Sequence, residues 1–276
     1  MSFMTRISNG WDLAKMSLST IQKNKTLLVF PVLSTLSLIL IIGSFLGGGY
    51  FFFGDFIAQQ FASDSSGILG YTAVFLFYLV NYFIVVFFNA ALMHCAVRTF
   101  YDEPTSLADG IEFSMSRIGK ILGWTIVSAT VGTLLDALSN TGKIGAFVIS
   151  LIGIAWSLLT FFVVPILVFQ DKGVFDAIRD SGKMMKEKWG ESLTMNVSFG
   201  IFQFIGIILC AALGFALAQI HWALGIAIGV LGAILVLTIF AAAKTIFIAA
   251  IYNQVNGRPT GDFDPRALDS AFLQKR

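Results

Sequence analysis

The sequence predicts an all-α, polytopic membrane protein: a single domain, residues 1–276, built as a bundle of six transmembrane helices. Six apolar stretches support this, because each can cross a hydrocarbon core of ~30 Å at a rise of about 1.5 Å per residue. Hydrophobic residues form 57% of the chain and charged residues 12%, whereas soluble domains have about 45–50% and about 25%. The expected spans are residues 27–53, 68–97, 121–138, 144–169, 193–219 and 222–251.

Basic residues are concentrated at one end of these spans. Of the eighteen lysines and arginines, sixteen lie before the first span, in the connections 98–120 and 170–192, or after the last span. Lys143 lies on the opposite side, and Lys244 lies inside the last span. By the positive-inside rule, these two connections and both termini are expected in the cytoplasm. The sequence therefore predicts a multi-pass protein of the cytoplasmic membrane.

Three polar stretches on the basic side have the period of amphipathic helices, at residues 5–23, 106–120 and 173–189. Their basic residues lie opposite the apolar face, which predicts helices in the plane of the head groups. Ser106 and Asp109 have the spacing of a capping box at the start of the second stretch. Each stretch precedes a pair of spans, so three repeats of an interfacial helix followed by a helical hairpin are one hypothesis.

The connections on the opposite side are short. Residues 54–67 contain no basic residue, residues 139–143 have the composition of a turn, and a turn at 219–222 divides the last two spans. Such turns require antiparallel neighbours within each hairpin. In the cytoplasmic tail, residues 253–276, Asp264 and Pro265 are typical of a helix start. We expect this tail to fold back on the bundle or on the membrane surface.

Several segments of the chain share a pattern with known sequences. They are residues 11–15 (WDLAK), 27–34 (LLVFPVLS) and 160–168 (TFFVVPILV), then Ala177, Ser181, 189–191 (WGE) and Asn196, and in the tail Gly261, Phe263, Asp264, Leu268, Ala271 and Phe272. Together they resemble a family of uncharacterised polytopic integral membrane proteins, known only as a domain of unknown function. The resemblance extends over nearly the whole chain. It implies a membrane protein found chiefly in prokaryotes, and it implies no catalytic residue and no substrate.

Polar residues in the third span recur on one helix face. Thr125, Ser128, Gly132 and Asp136 are separated by three, four and four residues. Polar groups are costly in a bilayer, so this face could line a polar pathway with Asp136 at its outer mouth. Alternatively, its small residues let helices approach closely, and Asp136 lies at the outer water boundary. We expect the packing arrangement.

Lys244 is the one lysine within a span. It lies about 33 Å along the helix axis from Trp222, close to the cytoplasmic boundary, where its long stem could carry the ammonium to the head groups. The alternative is a buried polar partnership. Four other polar residues lie at comparable depth in the second and fifth spans: Asn89, His94, Asn196 and Gln203. Hydrogen bonds that hold helices together are the simpler interpretation of this group.

Catalytic and nucleic-acid-binding patterns are absent from the sequence. It contains no zinc-protease motif, no phosphate-binding glycine loop and no serine-nucleophile motif, and it has two histidines. The net charge of +2 gives no footprint for nucleic acid. We therefore expect a non-enzymatic protein without cofactor or metal, acting through anionic lipid head groups, membrane-protein partners or a second copy of itself. The rival hypothesis is a small permease or channel that uses the Thr125–Asp136 face.

Overall fold

A computed structural model describes residues 3–44, 67–139, 143–170, 172–264 and 268. Within these ranges, side chains are not described for residues 3–10, 67–71, 73–74, 139, 143–144, 146 and 187–198. The nine helices of the described ranges are α1 (Phe3–Lys23), α2 (29–44), α3 (Gly67–Phe100), α4 (Leu107–Ser116), α5 (Ile118–Ser139), α6 (Lys143–Leu159), α7 (Val163–Phe169), α8 (Val174–Ala218) and α9 (Trp222–Val255).

 A turn of 3-10 helix, Lys25–Leu28, joins α1 to α2.

The all-α, six-span prediction is confirmed. The described residues contain no strand, and six of their helical segments are long and apolar enough to cross a membrane. These segments are Lys25–Ser44, Phe75–Phe100, Ile118–Leu138, Phe147–Phe169, Phe199–Ala218 and Trp222–Val255. The end of the first predicted span, residues 54–66 of the connection after it and most of the predicted tail helix lie outside the described residues.

The helices divide between two units. The first unit comprises Met1–Val32, Ala91–Gly110 and Met184–Arg276, and the second comprises Leu33–Ala90 and Ile111–Lys183. Helices α2, α3, α4 and α8 each contribute residues to both.

The fourth span is interrupted, although the sequence predicted one helix over 144–169. Helix α6 ends at Leu159, and α7 begins at Val163. Pro165 has no N–H to donate to the carbonyl of Phe161, and its ring would clash in a continuous helix. The interruption instead leaves the backbone N–H of Phe162 to donate to Ser181 Oγ at 3.0 Å.

Two other boundaries differ from the sequence prediction. The second amphipathic stretch does not continue to residue 120, because the chain leaves the helix at Arg117 and α5 begins at Ile118. The third stretch and the fifth span are covered by one helix, α8, of 45 residues. Uncharged residues follow the basic stretch there without an intervening glycine–proline turn, so the helix has no local reason to end.

In the first unit, α1 packs against α9. The buried face of α1 is formed by residues at helical spacing: Leu13, Ala14, Ser17, Thr20 and Ile21. Among the apolar residues at helical spacing in the predicted amphipathic stretch 5–23, Trp11 is exposed, whereas Ala14 and Ile21 are buried. Part of the apolar face of α1 is therefore covered by protein, and its position at a membrane surface stays a prediction.

Helices α8 and α9 form the antiparallel hairpin that the short turn predicted. A Cβ added to Gly206 would lie 2.9 Å from Val236, and one added to Gly232 would lie 3.0 Å from Cys210 Sγ. Residue numbers on α9 therefore fall as those on α8 rise. Glycine at these contacts lets the two backbones approach closely.

In the second unit, α5 packs against α6 and α7. The rings of Trp124 and Trp156 stack with centroids 6.0 Å apart, and Lys120 Nζ donates to the carbonyl of Gln170 at 3.3 Å. Ser114 Oγ of α4 donates to the carbonyl of Phe87 at 3.0 Å.

Candidate functional site

The polar face of α5 lies partly in a helix contact. Thr125 and Ser128 are buried, and Asp136 is exposed. A Cβ added to Gly132 would meet the ring of Tyr82 on α3 at 3.8 Å. The face therefore has a neighbouring helix in front of its glycine, an arrangement that favours helix packing over an open pathway at that level.

Two hydroxyl groups on α5 remain unsatisfied. Thr125 Oγ1 donates to the carbonyl of Ile121 at 2.7 Å. By contrast, Ser128 Oγ and Thr133 Oγ1 are buried and have no hydrogen-bond partner among the described residues. A buried unpaired hydroxyl costs about 1–3 kcal/mol. These two groups are the observation on α5 that favours a polar role.

Lys244 lies on α9 with its side chain exposed, and it makes no hydrogen bond or ion pair with any described residue. Gln203 on α8 is half-buried and likewise makes no described hydrogen bond. The contacts of Gly206 with Val236 and of Gly232 with Cys210 place residue 203 about level with residue 239. Lys244 is thus more than one helical turn from the level of Gln203, and the predicted cluster does not form between these two residues.

The other members of the predicted cluster lie on α3 and α8. Asn89 belongs to the second unit and His94 to the first, and both are half-buried. His94 lies near enough to Asp109 to interact with it electrostatically. The side chain of Asn196 is not among those described.

The predicted capping box at the start of α4 is confirmed. The Ser106 N–H donates to Asp109 Oδ2 at 2.8 Å, and the Asp109 N–H donates to Ser106 Oγ at 3.2 Å. These two hydrogen bonds, with Arg98 and His94 nearby, lower the pKa of the Asp109 carboxyl. Arg98 Nε also donates to Glu103 Oε2 at 2.8 Å. The end of α3 is thereby fixed to the start of α4 by charge-assisted bonds.

Asn24 connects the segment after α1 to the end of α3. Its Nδ2 donates to Thr105 Oγ1 at 2.6 Å and to Thr99 Oγ1 at 3.2 Å. Its Oδ1 accepts from the Thr26 N–H at 3.2 Å, which caps the 3-10 turn. The side-chain amide of Asn24 therefore connects the 3-10 turn, the end of α3 and the segment before α4.

A polar cavity of about 310 Å³ lies beside this cluster in the first unit. Lys23 Nζ is 2.5 Å from Asp262 Oδ1 at its rim, and the pKa of the Lys23 ammonium is raised because Asp262 accepts its hydrogen bond. Gly261 has φ of 61°, and a Cβ there would lie 2.9 Å from the Phe100 ring, so the turn requires glycine. The cavity is lined by Thr20, Lys23, Thr99, Phe100, Asp102, Pro259, Thr260, Gly261 and Asp262.

Sequence reasoning missed this cavity, because its residues come from three segments that are far apart in the chain. The expectation that the tail folds back on the protein was the available signal. It is supported by Phe263, which is buried with its ring centroid 5.9 Å from that of Phe100. The lining supplies charges and hydroxyl groups and holds no histidine or cysteine, so it can bind or fasten polar groups.

The connection between α4 and α5 exposes apolar side chains next to basic ones. Met115 is 53% exposed and Ile118 is 40% exposed. Arg117 lies between them, and its Nε is buried without a hydrogen-bond partner among the described residues. Exposed apolar residues beside cations are typical of a surface that meets lipid head groups.

Lysines in the next connection are paired within the protein instead. Lys172 Nζ is 2.6 Å from Asp180 Oδ2, and Lys183 Nζ is 3.2 Å from Asp180 Oδ1. These two hydrogen bonds, that of Lys172 first, lower the pKa of the Asp180 carboxyl.

Across the ranges that the structure describes, no group of three or more His, Cys, Asp or Glu side chains could hold a metal ion.

The fold and these sites define the class of the chain as a multi-pass helical membrane protein. A family model described as a family of unknown function, DUF6159, matches residues 68–262. The chain belongs to that family, as the sequence resemblance predicted. The match covers residues 68–262, so the segments at 11–34 and the tail residues from Phe263 onward, which also carried the resemblance, lie outside it. The comparison with curated proteins gave no match, and neither did the comparison with solved structures.

Proposed function

We propose that this chain is a non-enzymatic protein of the cytoplasmic membrane, with both termini in the cytoplasm. In this proposal it acts by binding anionic lipid head groups and through them, or directly, other membrane proteins. Sixteen of its eighteen lysines and arginines lie on one side of the six spans, and this asymmetry supports the orientation. The absence of catalytic motifs from the sequence supports a role in binding.

The observation that carries the proposal is the exposed α4–α5 connection. Met115 and Ile118 expose large apolar surfaces, and the half-buried Arg117 between them makes no side-chain hydrogen bond or ion pair with any described residue. An unpaired guanidinium donor is costly, and a phosphate oxygen is the acceptor that suits it best. A leaflet of anionic lipid supplies both the acyl chains and the phosphates that this connection lacks within the described protein.

Thermal unfolding in vesicles of defined composition tests the proposal. The unfolding midpoint should be higher in phosphatidylcholine vesicles that contain phosphatidylglycerol than in phosphatidylcholine alone, because a ligand of the folded state stabilises it. Salt should reduce the difference by screening. The variant Arg117→Gln should lose part of the difference, whereas Lys183→Gln should keep it, since Lys183 is already paired with Asp180. An unfolding midpoint that is the same with and without phosphatidylglycerol would refute the proposal.

A small permease or channel is the second candidate. It is favoured by the unpaired hydroxyl groups of Ser128 and Thr133 and by the interruption of the fourth span at 160–162, since broken helices are common in transporters. The position of Tyr82 counts against a channel, because its ring would lie 3.8 Å from a Cβ added to Gly132 and so covers that part of the α5 face.

Flux through reconstituted vesicles separates the two candidates. If the α5 face only packs helices, Asp136→Asn should leave both flux and stability unchanged, because an exposed carboxylate at the membrane boundary remains solvated. If the face lines a pathway, Asp136→Asn should change flux or its ion dependence while the unfolding midpoint stays close to wild type. We expect the first result.

A further inference from the structure

Lys244 is an isolated charge. It is the only formally charged residue between Glu191 and Arg258, and its exposed side chain has no hydrogen bond or ion pair with any described residue. A charge in a membrane span is costly unless it reaches a partner or the head groups. No described protein group supplies an anion for this ammonium, and the phosphate of a head group is one that a lysine at the membrane boundary can reach.

The burial pattern of α9 changes at this lysine. Before it, one face of the helix exposes apolar residues at helical spacing: Ile226, Val230, Leu237 and Ala241. Lys244 is the next residue of that exposed face. After it, residues 245–253 are buried except Ile248, which is half-buried. An apolar stripe open to acyl chains therefore ends at an ammonium group.

Depth along the helix gives the same position. Lys244 lies 22 residues after Trp222, or about 33 Å along the axis, whereas the hydrocarbon core is ~30 Å thick.

Aromatic rings lie at the level of Lys244 along α9. The Phe199 ring on α8 has its centroid 6.5 Å from that of Phe240 and 5.6 Å from that of Phe247, one turn to either side of Lys244.

A second aromatic contact lies close by on α8. The Trp11 ring centroid is 4.6 Å from that of Phe202, and Lys15 Nζ is 5.3 Å from the Trp11 centroid. Tryptophan with a lysine at its ring is typical of the boundary between hydrocarbon and head groups. These contacts, all within the first unit, agree with the depth of Lys244 at the inner boundary.

We propose that Lys244 binds the phosphate of an anionic phospholipid in the inner leaflet, with an acyl chain of that lipid lying along the exposed stripe of α9. This inference rests on the proposed function and names one lipid site within it. The apolar stripe favours a phospholipid over a carboxylate of another protein, because one molecule then satisfies both the stripe and the ammonium. A lysine near an anionic surface contributes about 1 kcal/mol, which corresponds to about a fivefold change in lipid occupancy.

Photo-crosslinking of the wild-type protein with head-group-photoactivatable phosphatidylglycerol tests the site directly. Crosslinks should map to residues 240–248, and inorganic phosphate at constant ionic strength should not compete. Crosslinks that avoid this segment would overturn the proposal, and so would competition by inorganic phosphate. A carbodiimide crosslink between Lys244 and another protein in native membranes would also overturn it in favour of a protein partner.

Native mass spectrometry of retained phosphatidylglycerol supplies the variant test. Lys244→Gln should lower its occupancy about fivefold, Lys244→Arg should retain it, and Lys183→Gln should match wild type. Equal occupancy in all three variants would refute the site. If wild type retains phosphatidylglycerol and Lys244→Gln does as well, this inference fails alone; if wild type shows no preference for phosphatidylglycerol, the proposed function fails.

Discussion

Gly225, in the first turn of α9, lies so close to α8 that a methyl group has no room. An added Cβ would lie 2.5 Å from Ala218 Cα and still closer to the Gly214 carbonyl oxygen. These are backbone atoms, so the clash is relieved only by moving a helix. Gly225→Ala should therefore lower the free energy of unfolding by about 1–3 kcal/mol, the usual cost of overpacking.

A matched glycine is the control for that substitution. Gly153, in the middle of α6, has no atom within 4 Å of an added Cβ. Gly153→Ala should leave stability unchanged or raise it by up to about 1 kcal/mol, the difference in helix propensity. Unfolding of both variants in detergent micelles measures the two effects. Equal effects on stability would mean that the α8–α9 contact is not as close as described.

The Lys23–Asp262 pair gives a prediction for alkaline pH. Because the folded state raises the pKa of Lys23 above its ordinary value of 10.5, the pair stabilises the fold fully below that pH. The stabilisation is lost as pH rises through the raised pKa. The gap in unfolding midpoint between wild type and Asp262→Asn should be constant from neutral pH to 10.5 and should close above it.

Glu112→Gln is the control for this pH dependence, because Glu112 is exposed and has no described partner. Its midpoint should follow wild type across the same range. The pair is largely solvent-exposed, so the gap itself should be small. A gap that persists well above the ordinary pKa of lysine would show that Asp262 stabilises the tail by some other contact.

At the scale of elements, the interruption between α6 and α7 depends on one side chain from α8. Ser181 is fully buried and accepts the hydrogen bond of the Phe162 N–H. Ser181→Ala would leave that N–H buried and unpaired, so stability should fall by about 1–3 kcal/mol. Hydrogen exchange at the Phe162 amide should accelerate in parallel.

Ser44→Ala is the comparison for this substitution. Ser44 is exposed, and its Oγ donates to the carbonyl of Ile41 within its own helix. Its replacement should change stability by no more than about 0.5 kcal/mol. If the two serine variants behave alike, the interruption is held by Pro165 alone.

The sequence predicted which helices exist better than where they end. Apolar length identified six spans, and Ser106 with Asp109 identified the start of α4, because both signals are local. Pro165 excludes one helical hydrogen bond, but the interruption also involves Ser181, which accepts from the Phe162 N–H and is distant in sequence. Helix α4 ends at Ser116, and neither a glycine nor a proline stands at Arg117 to mark that end.

At the scale of the whole molecule, the candidate sites were predicted in part. The Thr125–Asp136 face and Lys244 were found from their spacing and charge. The cavity at Lys23 and Asp262 was not, since Thr20, Asp102 and Thr260 carry no local pattern and meet only when the tail folds onto α1 and α3. Spacing identifies residues on one helix, whereas contacts between helices depend on the tertiary fold.

The orientation of the molecule underlies every lipid contact proposed for it, because anionic head groups must lie on the side of the basic connections. The unequal distribution of lysine and arginine supports that orientation. Lys183 and Gln219, both exposed and separated by most of α8, are positions where it can be tested.

Cysteine labelling in spheroplasts with a membrane-impermeant maleimide is the most direct test. Gln219→Cys and Lys183→Cys would each be made in a background that carries Cys95→Ala and Cys210→Ala. We expect Gln219→Cys to be labelled in intact spheroplasts and Lys183→Cys to be labelled only after permeabilisation. Labelling of Lys183→Cys in intact spheroplasts, with Gln219→Cys protected, would contradict the orientation and with it the proposed lipid contacts of the inner leaflet.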